Sequence, residues 1–358
     1  MKKILAIALV LCMVMALAAC GGSSAPAAST PAPAQSSAAT TTPAAPAAAE
    51  MPSYSFKFSL TQSNTDPIVK FAQMMVDEIQ EKTDGHITIE LHPNGELGAI
   101  NDVNEMIAQG GELINYTGCD AFNATVPNLA ILKCQYCLSD PDQMTKVMNG
   151  DWYKEQVETL AANGNVRLLT YNWFTGFRHF ATKFDVKSVD DMAGKNMRVA
   201  DAAALIAFSK ALGCAPVVTT WNETYTGLSN GMLDCCESPI ASLWASSIQE
   251  VTDYIVLTKH LVSTGGLCMN ESIFASMPAE YQQIILDAAY NAGEAFKEDS
   301  LAGEEGALQN FIDAGKTIVR LDEAALKGFR EKASAMYKDP SLGFPEGLYE
   351  SIQETISK

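Results

Sequence analysis

The 358-residue sequence is short of positive charge: 24 lysines and arginines stand against 42 aspartates and glutamates, a formal net charge of −18. Such a surface repels phosphate backbones and excludes nucleic acid as a partner. It describes a soluble, self-repelling body and leaves the ligand open. Histidine is scarce. The four, His86, His92, His179 and His260, are scattered and share no local spacing with a cysteine, which argues against zinc, whose structural sites take four thiolate or imidazole ligands. No HExxH, GxGxxG or Walker loop occurs, so the usual signatures of metalloprotease and nucleotide chemistry are missing. No metal, no cofactor and no catalytic residue is expected. An internal repeat at fixed period is also lacking.

A regular cysteine framework is absent too. Apart from Cys12 and Cys20 there are seven cysteines, at 119, 134, 137, 214, 235, 236 and 268, an odd number without disulfide spacing. Cys134 and Cys137 have CxxC spacing and Cys235 and Cys236 are neighbours, but small buried thiols account for all of them. The enzyme alternative is a thiol nucleophile at Cys235 or Cys236, near Glu237, with His179 or His260 folding in as its base.

What is present begins with MKKILAIALVLCMVMALAAC. A basic start, an apolar core too short to span a bilayer and small residues before a cut site describe an export signal over residues 1–19. The ending Leu17-Ala18-Ala19-Cys20 resembles a bacterial lipobox, which implies that Cys20 is lipidated. Residues 20–52 are almost wholly Ala, Pro, Ser, Thr and Gly; they cannot bury enough surface to offset chain entropy and read as a tether. As a coil its reach is on the order of 30 Å.

The remaining 300 or so residues, roughly, suffice for two lobes with cores. Alternation over Tyr54–Leu60, Ile87–Leu91, Leu113–Thr117, Val166–Tyr171, Asn196–Ala200 and Pro216–Thr219 predicts strands, and Met232–Glu237 reads as extended. Helices are expected after Asp66-Pro67, over Asn101–Gln109, after a cap at Asp201, after a cap at Thr220, and through the tail from Pro278, broken at Gly315 before a strand at Thr317–Leu321. Strands alternating with helices predict parallel pairing in an α/β sheet. Ligands of such sheets bind outside the carboxyl ends of the strands.

Two arginines stand out. Arg178 lies within the aromatic run NWFTGFRHF, and Arg198 sits in the apolar strand NMRV before an almost chargeless helix. A guanidinium matches a carboxylate in two parallel hydrogen bonds; each arginine could equally serve a structural salt bridge.

The ordered set GFR, VDDMAGKNMRVAD and ALGCAPVVTTWNETYTGLSNGMLDCCESP resembles the core signature of solute-binding proteins of tripartite ATP-independent (TRAP) transporters. GHITIELHPNGELG and SMPAEYQQIILDAA agree, so the resemblance runs from about Tyr54 onward. It implies a two-lobe, type II-like periplasmic-binding fold with an interlobe cleft and long C-terminal helices. Lobe I would be 53–175 plus 264–303 and lobe II 176–263 plus 304–358. By position, Arg198 matches the arginine that grips a ligand carboxylate, and Arg178 a second basic contact. Trp221 falls where an aromatic packs on the ligand, and Ser238 where an asparagine often helps hold the carboxylate. Glu237, Trp173, Gln62 and Tyr225 complete the candidate ligand contacts. Trp173, Phe177 and Trp221 are also plausible core residues, Phe177 more so than Trp221. Two departures matter: the glycine expected after Asp234 is Cys235, whose backbone must then avoid positive φ, and Ser238 lacks an amide. The resemblance implies a lipid-anchored, extracytoplasmic, monomeric receptor that passes a small organic acid to the membrane subunits of a TRAP transporter. The binding lipoprotein of an ATP-driven importer is the nearest alternative.

Overall fold

The computed structural model describes residues 51–358; the expected signal, Cys20 and most of the tether lie outside the described residues. The first βα units form where period 2 and period 3.6 alternate. β1 (Tyr54–Ser59), α1 (Ile68–Lys82), β2 (Ile87–His92), α2 (Ile100–Ala108) and β3 (Leu113–Thr117) follow in order. Asp66 starts α1 by accepting a hydrogen bond from the Ile68 N–H at 3.1 Å, and Asp84 and Gly85, at φ 48° and 76°, end it. Short 3-10 turns and helices α3 (Pro141–Asn149) and α4 (Asp151–Gly164) lead to β4 (Val166–Thr182).

The second set comprises β5 (Asn196–Val199), α5 (Ala203–Ala211), β6 (Ala215–Val218), α6 (Thr224–Ser229), β7 (Cys235–Pro239) and α7 (Ile240–Ala245). It is followed by β8 (Tyr254–Asn270), α8 (Glu271–Ser276), α9 (Ala279–Asp313), β9 (Thr317–Arg320), α10 (Glu323–Met336) and α11 (Leu348–Ser357). Cys235 sits inside β7 and has no positive φ. Thr220 makes the expected cap, a reciprocal box with Glu223. Asp201 does not: α5 begins after Ala202 with no side-chain cap.

One mixed sheet runs β2-β1-β3-β8-β4-β7-β5-β6, with β9 beside β8. The βα neighbours pair in parallel as expected. The joints β3–β8, β8–β4 and β4–β7 are antiparallel, which corrects the all-parallel expectation. The cause is two 17-residue strands, β4 and β8, that lie side by side between the two strand sets. β4 therefore continues well past Tyr171. Neither strand shows clean alternation, because both faces are covered and register shifts interrupt the pairing between Leu168 and Phe180. Gly176 lies in this irregular stretch at φ 120°, a conformation that L side chains resist.

The register defines where a ligand could sit. β1 to β3 run in the direction of β4, whereas β5 to β7 run against it. β3 ends with Thr117 opposite Gly266, and β7 ends with Pro239 opposite Arg178. The carboxyl ends of both strand sets therefore converge on the middle of β4 and β8. Helix α9, 35 residues and about 52 Å long, packs Ala288, Ala292 and Phe296 into the apolar cluster around β1 and α1, and Leu308 and Phe311 into the cluster around α7.

Candidate functional site

Arg198 lies in β5 between Met197 and Val199, both fully buried. Alternation along the strand turns Arg198 to the opposite face from these two, where it is 5% exposed. Its Nη2 donates to the Thr219 carbonyl at 2.8 Å, its guanidinium stands 5.3 Å from the centre of the Trp221 ring, and its Nε is buried without a partner. Among the described residues it makes no ion pair. Burial pulls its pKa down to about 10, resisted by the charge of Glu237 and aided by that of Arg178; the group remains a cation at neutral pH.

Arg178 is already occupied. Its Nε donates to Glu237 Oε2, and its Nη2 donates to Oε1 at 2.6 Å and to the Glu237 carbonyl at 2.8 Å. Burial by itself would raise the pKa of Glu237, which is fully buried, but the charge of Arg178 and a hydrogen bond from His260 bring it down to about 2. His260 Nε2 lies 3.2 Å from Glu237 Oε2, and its Nδ1 lies 2.7 Å from Thr258 Oγ1. The imidazole stacks on Phe180 at 4.5 Å. Neighbouring residues in sequence carry no signal for His260 in this role, because β8 brings it from a distance.

Of the expected residues, the structure sets Trp221 against Arg198. Trp221 lies beneath the guanidinium and donates its Nε1–H to Ser246 Oγ at 2.9 Å. Ser238, 5% exposed, is near the carboxyl end of β7. Gln62 has a buried Oε1 with no partner. Its loop is tied toward Trp221 through two backbone-assisted links: Asn94 N–H to the Gln62 carbonyl at 2.7 Å, and Asn222 Nδ2 to the Asn94 carbonyl at 3.5 Å.

Three expected contacts are corrected. Trp173 is fully buried, donates to the Ala289 carbonyl at 2.9 Å and packs on Phe58, Tyr116 and Phe296; it is core because β4 continues past it under α9. Tyr225 donates its hydroxyl to Glu250 Oε2 at 2.8 Å on the outer side of α6. Glu237 spends its carboxylate on Arg178 and His260.

The thiol alternative fails on access. Cys235 and Cys236 are fully buried, burial pushes the Cys236 thiol up to about 12, and a reactive cysteine needs a reachable thiolate. Cys134 and Cys137 are buried free thiols, and no group of three potential metal ligands occurs among the described residues. A cavity of about 610 Å³ between α7 and α9 has Asp66, Asp299 and Glu304 in its wall and none of Arg198, Trp221, Ser238 or Gln62. Those carboxylates have the wrong sign for an anion.

Comparison with known proteins identifies the fold and the family. The chain is 29% identical over 258 residues to a solute-binding protein of Sulfitobacter sp. (strain NAS-14.1), covering 71% of this chain and 76% of that one. Two solved TRAP periplasmic solute-binding proteins superpose with TM-scores of 0.79 at 25% identity, each covering 85% of this chain and 99% of theirs. One, from Ochrobacterium anthropi, holds L-fuconate, and the other, from Actinobacillus succinogenes, holds L-galactonate. The family model DctP, described as bacterial extracellular solute-binding protein, family 7, matches residues 58–341. That match spans more than half of the chain, and the chain belongs to this family of bacterial extracellular solute-binding proteins.

Proposed function

We propose that the protein captures a small organic acid between two lobes and delivers it to the membrane subunits of a TRAP-type secondary transporter. The observation that carries this reading is the contrast between two neighbouring cations: Arg178 is neutralised by Glu237, while Arg198 is buried with an orphaned Nε and, among the described residues, no counterion. A buried charge left unpaired costs several kcal/mol, and a ligand carboxylate in bidentate register on Arg198 removes that cost. Trp221 packs on the organic body, and Ser238 and Gln62 supply polar contacts. The acids held by the two superposed relatives, both sugar acids, are consistent with this chemistry.

Lobe I comprises residues 53–175 and 264–303, lobe II residues 176–263 and 304–358. The boundary falls at the irregular middle of β4, beside Gly176, and closure about it follows from a ligand that binds the closed state better. Cys20 anchors the monomeric receptor to the outer face of the membrane through its lipid.

The test is a thermal-shift screen of the mature protein against small organic acids that include L-galactonate and L-fuconate. An acid at 100 times its dissociation constant stabilises the fold by about 2.7 kcal/mol. A screen in which no acid raises the melting temperature rejects the reading.

A further inference from the structure

We infer that Ser246 is a positioning residue for the Arg198 clamp, acting through the Trp221 ring that supports the guanidinium. This rests on the reading of Arg198 as the carboxylate clamp.

Arg198 is held at two points, and both belong to one short turn between β6 and α6. Its Nη2 donates to the Thr219 carbonyl at 2.8 Å, and its guanidinium stands 5.3 Å from the centre of the Trp221 ring. A hydrogen bond to a carbonyl fixes one nitrogen but leaves the plane of the fork free to swing about it. A cation is drawn to an aromatic face, so the ring adds a second constraint. Bidentate contact with a carboxylate depends on that plane as much as on the charge.

The backbone of the turn is secured by its own residues. The Thr219 N–H donates to the Val199 carbonyl at 3.3 Å, continuing the pairing of β5 and β6 just beyond Arg198. The Thr220 N–H and hydroxyl both donate to Glu223 Oε2 at 2.9 Å. None of these bonds sets the side-chain torsions of Trp221. Its ring packs against the apolar cluster that contains Leu228 and Leu233, but apolar burial is non-directional and the ring torsion of a tryptophan is broad and roughly two-fold. An indole has a single polar atom, a donor. Where that N–H goes selects the ring orientation, and it goes to Ser246 Oγ at 2.9 Å.

Ser246 has no other duty. It is the residue after α7, and the end of that helix is closed by backbone bonds: the Ser246 N–H donates to the Ser242 carbonyl at 3.2 Å, and the Ser247 N–H to the Trp244 carbonyl at 3.0 Å. Among the described residues the Ser246 hydroxyl bonds only to Trp221. Because α7 starts where β7 ends, this one bond joins the turn that carries Trp221 to the segment that begins with Ser238, 25 residues on from the ring in the case of Ser246 itself.

The experiment is titration calorimetry with L-galactonate, L-fuconate, succinate and pyruvate on wild type, Ser246→Ala, Ser246→Thr, Trp221→Phe and the double variant Trp221→Phe with Ser246→Ala. Ser246→Ala is expected to weaken the tightest-binding acid of the four by about threefold to tenfold, and Ser246→Thr, which keeps the hydroxyl, to stay within about twofold of wild type. In the Trp221→Phe background the alanine change should alter affinity by less than about twofold, because phenylalanine has no N–H to hold. An equal loss in that background overturns the inference, since Ser246 would then act by another route. Where Trp221→Phe binds too weakly to titrate, the threonine variant carries the test, and a loss equal to that of alanine overturns the inference. Without ligand, the indole N–H proton resonance of Trp221, assigned by its loss in Trp221→Phe, should shift and exchange faster with solvent in Ser246→Ala; an unmoved resonance also overturns it. Unchanged affinity in Ser246→Ala overturns the inference and leaves the Arg198 reading intact, whereas wild type that binds none of the four overturns that reading and the inference with it.

Discussion

Arg178 and Glu237 meet on adjacent antiparallel strands in a bidentate ion pair braced by His260, so Arg178 is neutralised by a carboxylate of the protein itself. Among the described residues Arg198 is then the arginine without an ion pair.

Breaking that pair therefore acts first on stability. Arg178→Met leaves the fully buried Glu237 without its counterion and is expected to cost about 3 to 5 kcal/mol. Arg178→Met with Glu237→Gln removes both charges and should recover most of the loss. Urea denaturation of the two single variants and the double variant closes the cycle; additive losses would show that the two side chains do not interact.

Arg198 has the opposite signature. Arg198→Ala and Arg198→Lys should each lose most organic-acid affinity, because lysine keeps the charge without the planar fork. Without ligand, Arg198→Ala should melt at or above wild type, since it removes a buried cation that has no counterion. Calorimetry and thermal melts read both effects. Near wild-type affinity in the lysine variant would reject the bidentate clamp.

Acid should unfold the protein in two stages. Burial lowers the pKa of His260 and of His179, against the pull of Glu237 and Glu304 respectively. A group with a depressed folded pKa contributes stability above its unfolded value and loses it as pH falls, so these histidines weaken the fold below about pH 6.5. Glu237, held at about 2, adds a further loss as pH falls from about 4.3 toward 2. Replacing His260 with Gln should flatten the denaturant midpoint between about pH 7 and pH 5 relative to wild type. An unchanged slope would mean that His260 is not buried neutral.

The seam between α9 and β4 should not tolerate a methyl group. A Cβ at Gly293 would stand 2.2 Å from Asn172 Oδ1 and 2.8 Å from Trp173 Cδ1. Asn172 cannot turn away easily, because its amide is bonded to Tyr290, Glu294 and Thr170. Gly293→Ala should cost about 1 to 3 kcal/mol through overpacking, despite alanine's better helix propensity. A melting temperature at or above wild type would show that the seam can relax.

What the sequence determined by itself was local. The βα rhythm of β1 to β3 and β5 to β7, the Thr220 and Glu223 box, the break at Gly315 and the ordered motifs around Arg198 are all encoded within a few residues of one another, where periodicity and capping act. From these came the family and the arginine. The paths of β4 and β8 were not legible, because strands buried on both faces and interrupted by bulges lose their alternation. Those two strands decided the rest. They brought His260 to Glu237, gave Arg178 a counterion and drew Trp173 into the core. Whether an arginine is half of a salt bridge depends on which carboxylate stands beside it, and in this protein strand pairing between residues far apart in sequence gave Arg178 that partner and left Arg198 without one among the described residues.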